Sequence, residues 1–157
     1  MESEITAALA SRLGRYKALT EVGVGRRPAV ALALRRAGRD VTVTDVRAVD
    51  VPPNLRFVED DVVAASERAD PGDAYRVDAV YALNLPEELH RPARDVAAAV
   101  GADFLFTTLG FDSPTVPCET ETLAGGAETL YVVEETGESD GPDERRGPRS
   151  RRSEGQR

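Results

Sequence analysis

Two glycines, Gly23 and Gly25, stand between an acid, Glu21, and a pair of cations, Arg26 and Arg27. Glycine has no Cβ, so a Gly-x-Gly turn bends tightly and lets main-chain atoms approach a ligand. A helix beginning just beyond it, at Pro28, points its unpaired N–H groups into the same space. Asp45 closes the apolar run Val41-Thr42-Val43-Thr44, so its carboxylate is placed to accept hydrogen bonds from both hydroxyls of a ribose. Strand, glycine turn, helix, strand and terminal acid make one βαβ unit suited to a nucleoside-containing small molecule.

The elements needed to hold those residues follow from periodicity and punctuation. Ile5, Leu9 and Leu13 recur at four-residue spacing and predict an amphipathic helix over 2–15. Lys17 to Val24 reads as the first strand, Pro28 to Ala37 as a helix closed by Gly38, and Val41 to Asp45 as the second strand. Leu55 to Glu59 reads as the third strand, followed by Asp60-Asp61 and a short helix near 62–68. Asp78 to Asn84 is almost wholly apolar, as expected of a strand covered on both faces. Pro86 to Val100 is a helix ending at Gly101, and Asp103 to Leu109 is the fifth strand. The stretch with Pro114 and Pro117 reads as loop, and Thr129 to Glu134 as a last strand, antiparallel at the sheet edge. The alternation predicts an α/β fold: a three-layer, doubly wound, mostly parallel sheet of Rossmann-like type. A ligand then belongs at the C-terminal ends of strands one, two and four.

The chain has 157 residues, enough for one domain with a sizeable core. From Gly137 apolar residues vanish, so the reading is a domain over 1–135 and a disordered, arginine-rich tail over 136–157. Residues 141–157 hold six arginines against three acids, a net of +3, which leaves −11 of the overall −8 on residues 1–140. An acidic domain disfavours nucleic acid as its main partner, leaving only the tail as a candidate contact. Lys17 is the one lysine, a pattern expected of a salt-adapted, halophilic protein or of a GC-rich genome. A cytoplasmic location is expected, because the acidic start lacks a signal peptide's features and no apolar run reaches the ~20 residues of a membrane span. With one cysteine, Cys118, and one histidine, His90, no Cys- or His-cluster metal site is expected. His90, a turn into its helix, reads as exposed. Cys118 has no basic neighbours in sequence to activate it.

An acid two residues before the first glycine resembles motif I of class I S-adenosylmethionine-dependent methyltransferases, acid-x-Gly-x-Gly-x-Gly. Here the motif runs Glu21-x-Gly23-x-Gly25-x-Arg27, without the third glycine. The resemblance implies S-adenosylmethionine as cofactor and a methyl acceptor of unassigned identity. It implies that Glu21 meets the methionine amino group, that Asp45 binds the ribose, and that Asp60 and Asp61 contact the adenine amino group. Asn84-Leu85-Pro86 falls near the motif that faces the acceptor, and Asn84 is the one candidate for a catalytic role. That family's adjacent prolines and aromatic residue are missing there, as is the long final hairpin of many members. Arg26 and Arg27 suit a ligand carboxylate or phosphate. More narrowly, the span from Glu21-Val22-Gly23-Val24-Gly25-Arg26-Arg27-Pro28 through Tyr81-Ala82-Leu83-Asn84-Leu85-Pro86-Glu87-Glu88-Leu89 to Thr107-Thr108-Leu109-Gly110 resembles an archaeal family, UPF0146, and implies a methyltransferase-like Rossmann domain. Two other readings stand beside this one: a non-catalytic binding module, and an NAD-binding protein, against which Glu21 and Pro28 count.

Overall fold

In the computed structural model, which describes residues 3–25 and 27–135, seven strands form one sheet. In chain order the elements are α1 (Glu4–Leu13), β1 (Ala18–Val22), α2 (Ala29–Arg36), β2 (Asp40–Asp45), β3 (Arg56–Glu59) and α3 (Val62–Glu67). They continue with β4 (Ala79–Leu85), α4 (Glu87–Val100), β5 (Asp103–Thr108), β6 (Glu119–Leu123) and β7 (Glu128–Val133). The sheet order is β3-β2-β1-β4-β5-β7-β6. The first five strands are parallel, and β7 runs antiparallel to both β5 and β6. An all-parallel dinucleotide sheet has the order 3-2-1-4-5-6, so the inserted reversed strand sets this fold apart from it.

Two apolar layers hold the sheet between helices. Leu9 and Leu13 of α1 and Val30 and Leu34 of α2 pack on Leu19, Val43 and Leu105 of one face. Val62 and Ala65 of α3 and Val96 and Ala97 of α4 pack on Val80, Phe104 and Phe106 of the other. Each fully buried aliphatic side chain of this kind contributes roughly 1.5–3 kcal/mol. The helix ends follow their local chemistry. Ser3 caps α1 by accepting from the Thr6 N–H, Asp61 caps α3 by accepting from the Val63 N–H, and Gly101 closes α4 in the left-handed region. Pro28 and Pro86 stand one position earlier than expected, as the N-caps of α2 and α4.

Two sequence expectations are corrected. The last strand, β7, is not the sheet edge: β6, within the stretch read as loop, forms the edge outside it. Glu119-Thr120-Glu121-Thr122 carries polar residues on both faces, so no apolar alternation marks it as a strand. Its pairing with β7 supplies what its sequence lacks, and Arg12 reaches from α1 to clamp it through two bonds to Glu121, 2.7 and 3.1 Å. A final hairpin is thus present, although short.

His90 is buried, not exposed. Its Nε2–H donates to the Leu85 carbonyl at 2.9 Å, its Nδ1 accepts from the Thr115 N–H at 3.2 Å, and its ring packs on Phe106 with centroids 4.7 Å apart. The β5–β6 loop folds back over α4 and covers a position that helix periodicity alone leaves in solvent. His90→Ala is expected to lower stability by about 3 kcal/mol, through a cavity and two lost hydrogen bonds. Denaturant unfolding measures this, and a loss under about 1 kcal/mol would show that the loop holds without the histidine.

Candidate functional site

The parallel strands end together at one edge of the sheet, and a cleft of about 790 Å³ opens there. Its floor is Glu21 of β1 and the turn Gly23-Val24-Gly25. One wall is Arg27 with the start of α2, Pro28 to Val30; another is Leu83 and Asn84 of β4 with Thr107 of β5 and Leu109 just beyond it. Ser3, the cap of α1, with Ile5, Thr6 and Leu9 of α1 and Glu128 of β7, complete it.

The glycine turn has the geometry its sequence implies. Gly23 and Gly25 have φ of +76° and +55°, and a Cβ built on either meets no heavy atom within 4 Å. The turn is therefore a flat backbone floor with room above it. The N–H groups of Gly23 and Val24 both donate to the Thr44 carbonyl at 2.9 Å, tying the turn to β2. The adjoining α2 starts without a side-chain cap and without an acid in its first turn. Its free N–H groups and helix dipole give this wall positive character, reinforced by the exposed Arg27.

Glu21 is the most perturbed group in the cleft. It is 2% exposed, and its Oε1 accepts from the Tyr81 hydroxyl at 2.7 Å. The pairing of β1 with β4 places Glu21 directly opposite Tyr81, so the bond follows from register. Burial pushes the Glu21 carboxyl up to about 7, the Tyr81 bond opposes the rise, and the charge of Asp45 adds to it. The Tyr81 hydroxyl is itself raised well above its ordinary value, first by burial and then by Glu21.

Asn84 also departs from ordinary backbone. Its φ is +53°, within an irregularity where the β4–β5 register shifts between Ala82 and Leu85. The Thr107 hydroxyl accepts its N–H at 2.7 Å, and its side chain is exposed. Asparagine tolerates this region better than most residues, and the bulge turns the position toward the cleft.

Glu21, Gly23, Gly25 and Asn84 thus come together in one cleft. Asp45 lies beneath the glycine turn: its Oδ2 accepts from the Gly25 N–H at 2.8 Å and its Oδ1 from the Arg47 N–H at 3.1 Å. Asp60 accepts from Arg68 at 2.8 Å and from the Tyr75 hydroxyl at 2.7 Å. Burial raises the Asp60 carboxyl, and those two bonds outweigh it and hold the group below its usual range. Asp61 is occupied as the α3 cap. Neither Asp45, Asp60 nor Asp61 lines the cleft, which opens at β1 and β4 and not at the end of β2. Arg26 and the arginine-rich stretch lie outside the described residues. Cys118 is partly buried, and burial raises its thiol. Among the described residues no group of three or more Cys, His, Asp or Glu side chains is placed to hold a metal ion, and no helix is long and apolar enough to cross a membrane.

Sequence reasoning missed Glu128, Leu109 and the α1 residues. Glu128 belongs to the reversed strand, whose place beside β5 is a long-range pairing. The helical spacing of α1 marks its buried stripe but not the cleft that its first turn covers.

A UPF0146 protein of Halobacterium salinarum is 47% identical over 128 residues, covering 80% of this chain and 93% of that one. A UPF0146 protein of Archaeoglobus fulgidus is 37% identical over 91 residues, covering 58% and 67%. Among solved structures, a TehB-like S-adenosylmethionine-dependent methyltransferase of Corynebacterium glutamicum shares the fold at 18% identity, with a TM-score of 0.50 and coverage of 80% and 85%. A Burkholderia thailandensis 1,6-didemethyltoxoflavin-N1-methyltransferase is similar at 24% identity and a TM-score of 0.42 over 84% of this chain, which spans 60% of that one. The fold is the Rossmann-like fold of methyltransferases. The family described as the uncharacterised protein family UPF0146 matches residues 3–135, and the chain belongs to it.

Proposed function

We propose that this protein binds S-adenosylmethionine in the cleft at the ends of β1 and β4 and presents it to a methyl acceptor. The observation that carries this reading is the buried Glu21 carboxyl beside a glycine floor, facing an uncapped helix start and Arg27. An amino-acid zwitterion needs that polarity: a carboxylate for its ammonium group, and N–H groups with a cation for its carboxylate. Gly23 and Gly25 let the ligand lie against the main chain. Asp45, bracing the turn at Gly25, keeps carboxylate lone pairs for the ribose hydroxyls. Asn84 orients the reacting end through its exposed carboxamide. When bound, S-adenosylmethionine supplies an electrophilic methyl group; the chain's own contribution is alignment and exclusion of water.

Calorimetric titration of the full-length protein, in concentrated potassium chloride, tests this with S-adenosylmethionine, S-adenosylhomocysteine and NAD. The first two are expected to bind and NAD is not. Below pH 7 binding is expected to release a proton, because the ligand ammonium favours ionised Glu21. The signature is an observed enthalpy that changes with the ionisation enthalpy of the buffer. Binding of NAD alone, or of none of the three, would overturn the assignment.

A further inference from the structure

The cleft continues past the amino-acid subsite, and its far end differs in chemistry. There, on the side of the sheet away from β2, the lining is Leu83 and Asn84 of β4, Leu109 after β5 and Glu128 of β7. Glu128 is partly buried, and one of its carboxylate oxygens accepts from the neighbouring Thr129 N–H at 3.0 Å. Among the described residues no cation lines this end; Arg27 stands at the other, beside α2. Beyond Leu109, which is 45% exposed, the same loop carries Phe111, which is 106% exposed. These are two of the three exposed large apolar side chains among the described residues, in a chain of net charge −8. The third, Val46, follows β2 at the same edge of the sheet. Leu109 lines the cleft and Phe111 follows it two residues later, so this apolar exposure adjoins the Glu128 end of the cleft.

From this we infer that the acceptor is a primary or secondary amine on an apolar, ring-bearing body, with Glu128 as the residue that holds its nitrogen. The inference rests on the S-adenosylmethionine reading above and assigns the acceptor class to that same site. Charge decides between acceptor classes. In the transfer, the lone pair of a neutral amine forms the new N–C bond to the methyl group. The C–S bond breaks with its electron pair left on sulfur, which becomes a neutral thioether. The positive charge lost from sulfur reappears on nitrogen as an ammonium ion, whose proton then passes to solvent. A carboxylate beside that nitrogen stabilises the charge as it develops. A carboxylate or phenolate acceptor would instead enter as an anion against Glu128 and leave with no charge for it to stabilise. Leu109 and Phe111 supply an apolar cover for the acceptor body.

The test uses full-length protein saturated with S-adenosylhomocysteine, with ligand-observed saturation-transfer NMR of three probes sharing one ring: phenethylamine, 2-phenylethanol and phenylacetate. Phenethylamine is expected to bind about tenfold more tightly than either of the others. Glu128→Gln is expected to remove that preference, Glu128→Asp to restore part of it, and Glu119→Gln, on the exposed edge strand, to leave it unchanged. Equal or tighter binding of phenylacetate to the wild-type protein, which needs no variant to fold, overturns the inference. So does a preference for the amine that survives in a folded Glu128→Gln protein. If S-adenosylhomocysteine itself fails to bind, the cofactor reading fails. The same three probes on the protein alone then decide whether Glu128 selects amines.

Discussion

Gly23→Val is expected to reduce S-adenosylhomocysteine affinity by about 100-fold, equivalent to about 2.7 kcal/mol, while leaving the protein folded. The reason lies in where the new side chain goes. A Cβ at Gly23 meets no heavy atom within 4 Å, so the new side chain starts in open space and extends into the region above the turn. The backbone does pay a penalty, since φ is +76° and a β-branched residue resists that region by about 1–2 kcal/mol or more. Gly38→Val separates the two effects. Gly38 has φ +86° and equally open surroundings, but it follows the far end of α2, away from the cleft. It is expected to lose comparable stability and no affinity. Calorimetric titration of both variants, beside their thermal unfolding, checks the claim. Unchanged affinity in Gly23→Val would show that the ligand does not lie on the turn.

Glu21→Gln is expected to stabilise the protein at pH 8 by as much as about 3 kcal/mol, with little change at pH 5. The sign follows from burial. The carboxyl titrates near 7 in the fold and near 4.5 when unfolded. Between those values the folded state keeps a proton that the unfolded state has released, so stability falls as pH rises through this window and is level above it. Glutamine keeps the neutral form and can still accept from the Tyr81 hydroxyl, so it avoids the loss. Thermal unfolding across pH 5 to 8 measures the divergence of the two proteins. A Glu21→Gln protein less stable than wild type at pH 8 would mean that ionised Glu21 has a stabilising partner. The same variant is expected to bind S-adenosylmethionine more weakly, because the ligand ammonium needs the charge that folding disfavours. A residue that costs stability at the pH where its charge is useful belongs to a site, not to the framework.

Much of this was legible in the chain itself. The central unit from β1 to β2 was readable because every level agreed: apolar strands, a glycine turn, a proline at the helix start and a glycine at its end. So were β4 and β5, whose near-continuous apolar runs fit only strands covered on both faces. The resemblance at Glu21, Gly23 and Gly25 held at the level of family and fold.

The rest depended on contacts distant in sequence. His90 looks like a surface residue until the β5–β6 loop closes over it, and β6 has no apolar face to announce it before β7 and Arg12 pair with it. The three acids Asp45, Asp60 and Asp61 read alike in sequence. Tertiary structure divides their work among a turn brace, an arginine–tyrosine cluster and a helix cap. Sequence by itself determined which backbone conformations were available: a glycine turn, parallel strands and helices with defined ends, all local consequences of residue type. Only the tertiary structure decided which side chains share a cleft and what state they are in. Glu21 gains its raised pKa from burial at the floor of the cleft and from the nearby charge of Asp45, against the opposing hydrogen bond from Tyr81 on the neighbouring strand. Glu128 reaches the same cleft only because a reversed strand inserts beside β5. Solvent exclusion and cross-strand proximity are properties of packing, and no local run of residues contains them.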